Sequence, residues 1–279
     1  MSLGKKDIHV SDTAFVTCGF RRLNEKLSQD IYAKLWRNDK AELLLKDYTK
    51  HVSTEEIETH CIRNRYFLES LRLLIEKNQI ETLINFGAGF SMYPYLLDGH
   101  ITHIEIDKPE VVDYKSSVTK EWIKEGVLPH RNIDYIGVDF STDYQNSVLN
   151  KIQNIQKDTS CFILIEGVLF FLNRKETESI FDFFDTIQSQ GDFIGSVSYT
   201  DEILGTRAYD RLIDYASKGL DDASEGGLQC IENSFYEGLD HYKLIDHQDY
   251  FSCSKQFNHS PKSDPTDILN EHFYILQKK

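Results

Sequence analysis

Four short stretches hold the residue types that ligand chemistry needs, and each stands where an apolar run stops. The run "ETLINFGAGFS" (81–91) breaks at Gly87-Ala88-Gly89, a turn whose small residues let backbone come close to a ligand. Glu105 and Asp107 end the run "HIEIDKPEVV", with Asp107 placed 20 residues after Gly87. A carboxylate at that distance, at a strand tip, suits the hydroxyls of a ribose; Asp107 is the first candidate and Glu105 the second. In "YIGVDFS", Asp139 and Phe140 can hold an adenine, the acid accepting from its amine and the ring packing on its face. Equally, Asp139 or Ser141 can simply cap the helix that follows. Glu166 interrupts the apolar run "FILIEGVLFFL". A carboxylate so embedded needs a partner, either a ligand or a buried arginine such as Arg63 or Arg65.

The glycine turn narrows the ligand. The third position of G-x-G-x-x-G is Met92, so the pyrophosphate fingerprint is incomplete, and no G-x-x-x-x-G-K-[ST] occurs. A ligand with ribose and adenine but no phosphates needs only a short glycine turn and acidic strand tips. S-adenosylmethionine is such a ligand, and its methionine carboxylate calls for an arginine. An NAD(P)-dependent oxidoreductase on a similar sheet is the competing reading, and a relative that binds a cofactor or partner without catalysis is a third.

These stretches need a scaffold, and the chain supplies one. Strand-like runs "ETLINF", "ITHIEID", "IDYIGVDF", "CFILIEGVLFF" and "DFIGSVSY" alternate with polar segments of helical period. That alternation predicts βαβ units, hence an α/β Rossmann-like fold with a mostly parallel sheet. Two more runs, "HYKLIDHQDYF" and "HFYILQK", with a loop-like segment and no obvious helix between them, predict seven strands and an antiparallel last strand. Upstream, "LSQDIYAKLWRNDKAELLLKDY" places Ile31, Leu35, Leu43, Leu44 and Tyr48 on helical spacing, with a turn near Asn38-Asp39. "STEEIETHCIRNRYFLESLRLLIEKN" reads as a longer helix with a Ser53–Glu56 capping box and an apolar stripe of Ile57, Cys61, Leu68, Leu71 and Ile75. The expected organisation is a single domain: a helical N-terminal cap (1–78), a cofactor-binding core (79–200), a lid-like insertion (201–235) ending in the Gly- and Asp-rich stretch "LDDASEGGLQC", and a terminal strand pair (236–279).

With 31 basic and 45 acidic residues, the net charge of −14 argues against nucleic acid and against an anionic membrane surface. The N-terminal "MSLGKKDIHV" has no apolar signal core, which predicts a cytoplasmic protein. Five scattered cysteines and ten histidines show no zinc spacing, so no metal is expected; His100 and His103 read as structural or solvent-facing.

Taken in order, the motifs resemble the leucine carboxyl methyltransferase family and its bacterial polyketide-type O-methyltransferase branch. "IRNRYF", "NFGAGFS", "IEIDKPEVVDYK", "GVDF" and "IEGVLFFL" are similar to the family's basic, glycine, acidic, third-strand and fourth-strand motifs, and "RNDKAELL" is more weakly similar to its N-terminal segment. The resemblance implies a class I methyltransferase fold using S-adenosylmethionine and releasing S-adenosylhomocysteine. It implies that Arg63, or else Arg65, binds the methionine carboxylate, that Gly87, Ala88 and Gly89 line the cofactor, that Asp107 (with Glu105 as alternative) binds the ribose, that Asp139 and Phe140 hold the adenine, and that Glu166 lies near the amino-acid end. Two positions depart from the family's pattern. Ser91 stands where an acid is usual, and Phe171 stands where an aromatic hydroxyl is usual.

The implied activity is methyl transfer to a carboxylate or hydroxyl of a small molecule or peptide. A carboxylate acceptor needs no base at neutral pH, whereas a phenol benefits from one. No histidine can be assigned as that base from sequence. The substrate pocket is expected between the N-terminal helices and residues 200–235, with Tyr199, Arg207 and Arg211 as candidates; an exposed helix face is the alternative for them.

Overall fold

The computed structural model describes residues 12–97, 99–217 and 228–279. The N-terminal "MSLGKKDIHV" and most of "LDDASEGGLQC" lie outside the described residues. Helices α1 (Asp12–Leu23), α2 (Glu25–Ser28), α3 (Asp39–His51) and α4 (Glu56–Glu76) precede the sheet. Then β1 (Thr82–Phe86), α5 (Tyr93–Leu96), β2 (Thr102–Asp107), α6 (Pro109–Lys124), β3 (Ile133–Gly137), α7 (Gln145–Gln156), β4 (Cys161–Ile165), α8 (Arg174–Asp185) and β5 (Phe193–Ser198) alternate as the sequence predicts. The chain closes with α9 (Arg207–Ala216), α10 (Asn233–Glu237), β6 (Tyr242–Asp249), α11 (Tyr250–Gln256) and β7 (His272–Lys278).

The strands form one seven-stranded sheet in the order β3-β2-β1-β4-β5-β7-β6. β7 runs antiparallel to both β5 and β6, and the other pairings are parallel. This is the expected class I methyltransferase arrangement, with one correction. The β6–β7 connection carries α11, because "DYF" ends the strand at Asp249, whose side chain caps the helix in a reciprocal box with Ser252.

Side chains alternate across the strands, so the sheet buries both faces. Leu83, Phe162, Leu164 and Val197 pack toward α4 and α11, while Ile84, Ile104, Ile163 and Ile194 pack toward α7 and α8. A third, smaller cluster ties the N-terminal helices to the turn after β1. There Trp36 stacks on Phe90 at 4.2 Å and its indole N–H donates to Met92 Sδ at 3.1 Å. Buried His103, whose two ring nitrogens have no hydrogen-bond partner among the described residues, is pushed by burial down to about 3 and is neutral.

Two N-terminal expectations change. Asn38 caps α3, so the predicted turn falls where expected, but Ile31 and Leu43 are exposed and Ala41 and Leu45 make the buried stripe. The Ser53–Glu56 capping box does not form. Ser53 Oγ instead donates to the Asp267 carbonyl at 2.5 Å, and Glu56 is drawn inward. Of the stripe read on α4, Cys61, Leu68 and Leu71 are fully buried, and Ile57 and Ile75 are partly buried against the same cluster.

Candidate active site

Strand register brings the site together. Phe86 on β1 pairs with Ile106 on β2 and with Ile165 on β4. The next residue on each strand, Gly87, Asp107 and Glu166, therefore emerges at the same height. The chain leaves β1 toward β2 and later returns to β4 on the other side, so these tips flank the crevice where strand order reverses.

A cavity of about 760 Å³ opens there. Gly87, Ala88, Gly89, Asp107, Phe140 and Glu166 line it, as does Ser91, whose hydroxyl accepts from Asn85 Nδ2 at 2.8 Å. Gly87 has φ +75°, and a Cβ there would stand 2.2 Å from Val168 Cγ2, so only glycine fits between the two strand tips. Asp107 accepts from the backbone N–H groups of Gly89 and Lys108, both at 2.7 Å, which leaves lone pairs free on each oxygen.

Arg63 and Glu166 satisfy both readings at once. Arg63 Nε donates to Glu166 at 2.9 Å and Nη1 to Glu271 at 2.5 Å, while Tyr93 donates to the other Glu166 oxygen at 2.8 Å. Arg63 and Glu271 are buried, Glu166 is partly buried, and all three face the cavity. Arg65, the alternative, points elsewhere: it pairs with Glu69 and lies over the Phe257 ring.

Four candidates lie outside the cavity wall. Glu105 sits two residues below the strand tip, where Lys115 of α6 meets its carboxylate at 2.8 Å with both side chains buried. Asp139 falls two residues beyond Gly137, the last position of β3 paired with β2, and reaches an exposed turn where it binds Ser141 N and Oγ. Arg207 and Arg211, four apart on α9, share its outer face and converge on Asp267. Leu212, Tyr215 and Ala216 of the same helix line the cavity. Tyr199 does line the cavity, packed on Phe170 at 4.4 Å, and so does Phe171.

Sequence reasoning missed five residues of the site. Arg21 of α1 is buried and donates to Asp30 at 2.9 Å and to the Phe90 carbonyl at 3.2 Å. Glu56 and His60 precede Arg63 on α4, with steps of four and three, which puts all three on one helix face; that spacing was the available signal. Tyr93 follows the glycine turn, and Glu271 immediately precedes β7.

Burial, then the neighbouring Glu271, pushes Glu56 from its ordinary range up to about 8, so it holds a proton at neutral pH. Because the folded value exceeds the unfolded one, this group's stability contribution is lost as pH rises from about 4.5 to 8. Glu56→Gln should therefore be more stable than the wild type at pH 8.5 by on the order of 2–5 kcal/mol. The advantage should shrink toward zero near pH 5, which paired thermal melts across that range would check.

A comparison with protein families matches residues 20–185, more than half of the chain, to Leucine carboxyl methyltransferase. The chain belongs to the leucine carboxyl methyltransferase family. As a member it is an S-adenosylmethionine-dependent methyltransferase. No curated protein matches the sequence. Solved structures share the fold. A putative methyltransferase from Thermobifida fusca YX has a TM-score of 0.65 at 13% identity, covering 87% of this chain and 90% of that one. A DUF574 family protein from Streptomyces avermitilis has a TM-score of 0.69 at 9% identity, covering 99% and 100%. Magnesium protoporphyrin IX methyltransferase from Synechocystis, solved with bound S-adenosylhomocysteine, has a TM-score of 0.51 at 9% identity, covering 95% and 100%. Nothing in this set favours hydride transfer over methyl transfer. Among the described residues no cluster could hold a metal ion, and no helix is long and apolar enough to cross a membrane.

Proposed function

We propose that this methyltransferase acts on oxygen, transferring the methyl group to a carboxylate or hydroxyl of a small molecule or peptide. The family's name points to a carboxyl oxygen acceptor. The observation that carries the reading is the level register of Gly87, Asp107 and Glu166 around one continuous cavity, which extends from the strand tips to a chamber walled by α1, α3, α4 and α9.

The residues present fit the cofactor. The Gly87 cradle admits no Cβ, Asp107 has lone pairs for ribose hydroxyls, and Phe140 offers a ring face for the adenine. Arg63 Nη2 makes no hydrogen bond to a described residue and lies near the glycine after Glu166, so it is free for the methionine carboxylate. Glu166 and Glu271 hold that guanidinium in place, and Tyr93 holds Glu166. Glu105 and Asp139 have no part in this assignment. The cofactor when bound supplies an activated methyl group on sulfur; the protein aligns the acceptor and keeps water away.

Calorimetric titration with S-adenosylhomocysteine, with NADH in parallel, tests the reading. Micromolar binding of the former and none of the latter is expected. Asp107→Ala should weaken it by about 10- to 100-fold, the loss of charged hydrogen bonds worth about 1.5–3 kcal/mol. Asp107→Asn, which keeps one acceptor oxygen, should fall between. Preference for NADH, or no binding of S-adenosylhomocysteine, would refute the assignment.

A further inference from the structure

The acceptor end of the cavity carries a charge pattern that the family's carboxyl chemistry does not explain. Among the described residues two guanidiniums face it, and both are committed: Arg63 to Glu166, to Glu271 and, through Nη2, to the cofactor carboxylate, and Arg21 to Asp30 and the Phe90 carbonyl. Two carboxyls face it as well, Glu56 and Glu271. One oxygen on each, Glu56 Oε1 and Glu271 Oε2, is buried without a hydrogen-bond partner among the described residues. The remaining wall is aromatic and aliphatic, with Phe20, Tyr48, Phe170, Tyr199, Leu212 and Tyr215. An anionic acceptor brought here would lose its hydration and meet the Glu271 carboxyl, with no uncommitted guanidinium among the described residues in return. A neutral aromatic compound would lose little.

A neutral hydroxyl must give up a proton, and one group in this wall can take it. His60 Nδ1 lies 2.9 Å from the Glu56 carbonyl oxygen, a contact that requires the Nδ1 proton to be donated there. The lone pair is then on Nε2, which no described protein group hydrogen-bonds. The Phe20 ring at 4.7 Å holds the imidazole plane. We propose that the acceptor is a neutral aromatic hydroxyl compound and that His60 Nε2 takes its proton. This assignment rests on the methyltransferase reading above.

The step balances. As the acceptor oxygen forms its bond to the methyl carbon, the carbon–sulfur bond breaks and sulfur keeps the electron pair. The hydroxyl proton moves to His60 Nε2 and is released afterwards to water. The charged groups that act on the imidazole are Arg63 of α4 and Arg21 of α1, and Tyr48 of α3 and Glu271 beside β7 lie against the neighbouring Glu56 carboxyl. Burial, then Arg63, pushes His60 well below its ordinary value, so it is neutral before the transfer and gives the proton up again readily. The Glu56 carboxyl 3.9 Å from Nδ1 is protonated at neutral pH, so the charge of the imidazolium is relieved when its proton passes to water.

The test uses 2-naphthol and 2-naphthoate, which share a ring system and differ in the acceptor group. With the full-length protein loaded with S-adenosylhomocysteine at pH 7.5, calorimetry should show 2-naphthol bound at least 10-fold more tightly. His60→Gln should leave S-adenosylhomocysteine affinity within about twofold. It should lower kcat for 2-naphthol by about 10²-fold or more at pH 7.5, the usual size of a base contribution. That deficit should shrink as pH approaches about 10, where a phenol ionises unaided, a change that a purely structural role would not produce. Tighter binding of 2-naphthoate, binding of neither probe, or a deficit constant with pH would overturn the proposal. Failure of the wild type to bind S-adenosylhomocysteine would instead overturn the methyltransferase reading beneath it.

Discussion

Arg63→Ala is expected to cost about 3–5 kcal/mol of stability, the penalty for breaking a buried ion pair on one side. Arg63 is 3% exposed and serves two carboxylates, Glu166 and Glu271, from helix and sheet. Without it both carboxylates stay in the interior with no cation to offset them. Glu271 already sits above its ordinary range, with burial the main cause and Arg63 the chief opposing influence. Removing Arg63 raises it further, so the variant should lose stability as pH rises through neutrality and regain part of it near pH 5, where Glu271 takes up a proton. Arg63→Lys keeps the charge but not the fork, and should recover only part of the loss because an ammonium cannot bridge both partners in the same geometry. Urea unfolding at pH 5 and pH 8 separates these outcomes. A variant as stable as the wild type at pH 8 would mean that the two carboxylates do not depend on this cation.

The half of the site that the sequence reveals is the half built on strand ends. Gly87, Asp107 and Glu166 follow apolar runs whose parallel pairing is implied by the βαβ alternation, so their common height follows from local pattern alone. Arg63 is found by motif, and Phe140 by its place after β3. The acceptor end is built differently. Arg21, Glu56 and His60 come from helices, and Glu271 comes from a tail read as a loop; only tertiary packing brings them onto one cavity. A polar residue on a helix ordinarily faces water, and nothing near Glu56 in sequence announces that Glu271, 215 positions later, will lie beside it. Arg207 and Arg211 mislead for the complementary reason. They lie in a segment that does border the cavity, but the amphipathic pattern of α9 turns Leu212 inward and the two cations outward to Asp267. The missed helix α11 has the same origin, since its boundary depends on the Asp249 cap more than on hydrophobic period.

Glu105 and Asp107 provide the second large effect, and the contrast between them tests how far register decides function. They are two residues apart on β2, share an acidic character, and fit the same ribose role by sequence. Glu105 pairs across to Asn85, inside the sheet, whereas Asp107 passes beyond the last β1 pair at the cavity. α6 covers the inner position and delivers Lys115, which is fully buried against Glu105. Glu105→Ala should therefore strand a buried ammonium and destabilise the protein by about 3–5 kcal/mol. Binding of S-adenosylhomocysteine to the folded fraction should stay within about twofold of wild type, since charged hydrogen bonds worth about 1.5–3 kcal/mol would be lost only if Glu105 touched the ligand. The double variant Glu105→Leu, Lys115→Met should restore most of the stability, because apolar side chains of similar volume remove both desolvation penalties together. If Glu105→Ala instead binds poorly while folding well, the ribose contact belongs to Glu105 and the register argument fails. Lys115 in the acidic motif thus has a structural role, since it neutralises the inner acid and leaves the outer one alone to present charge to the cavity.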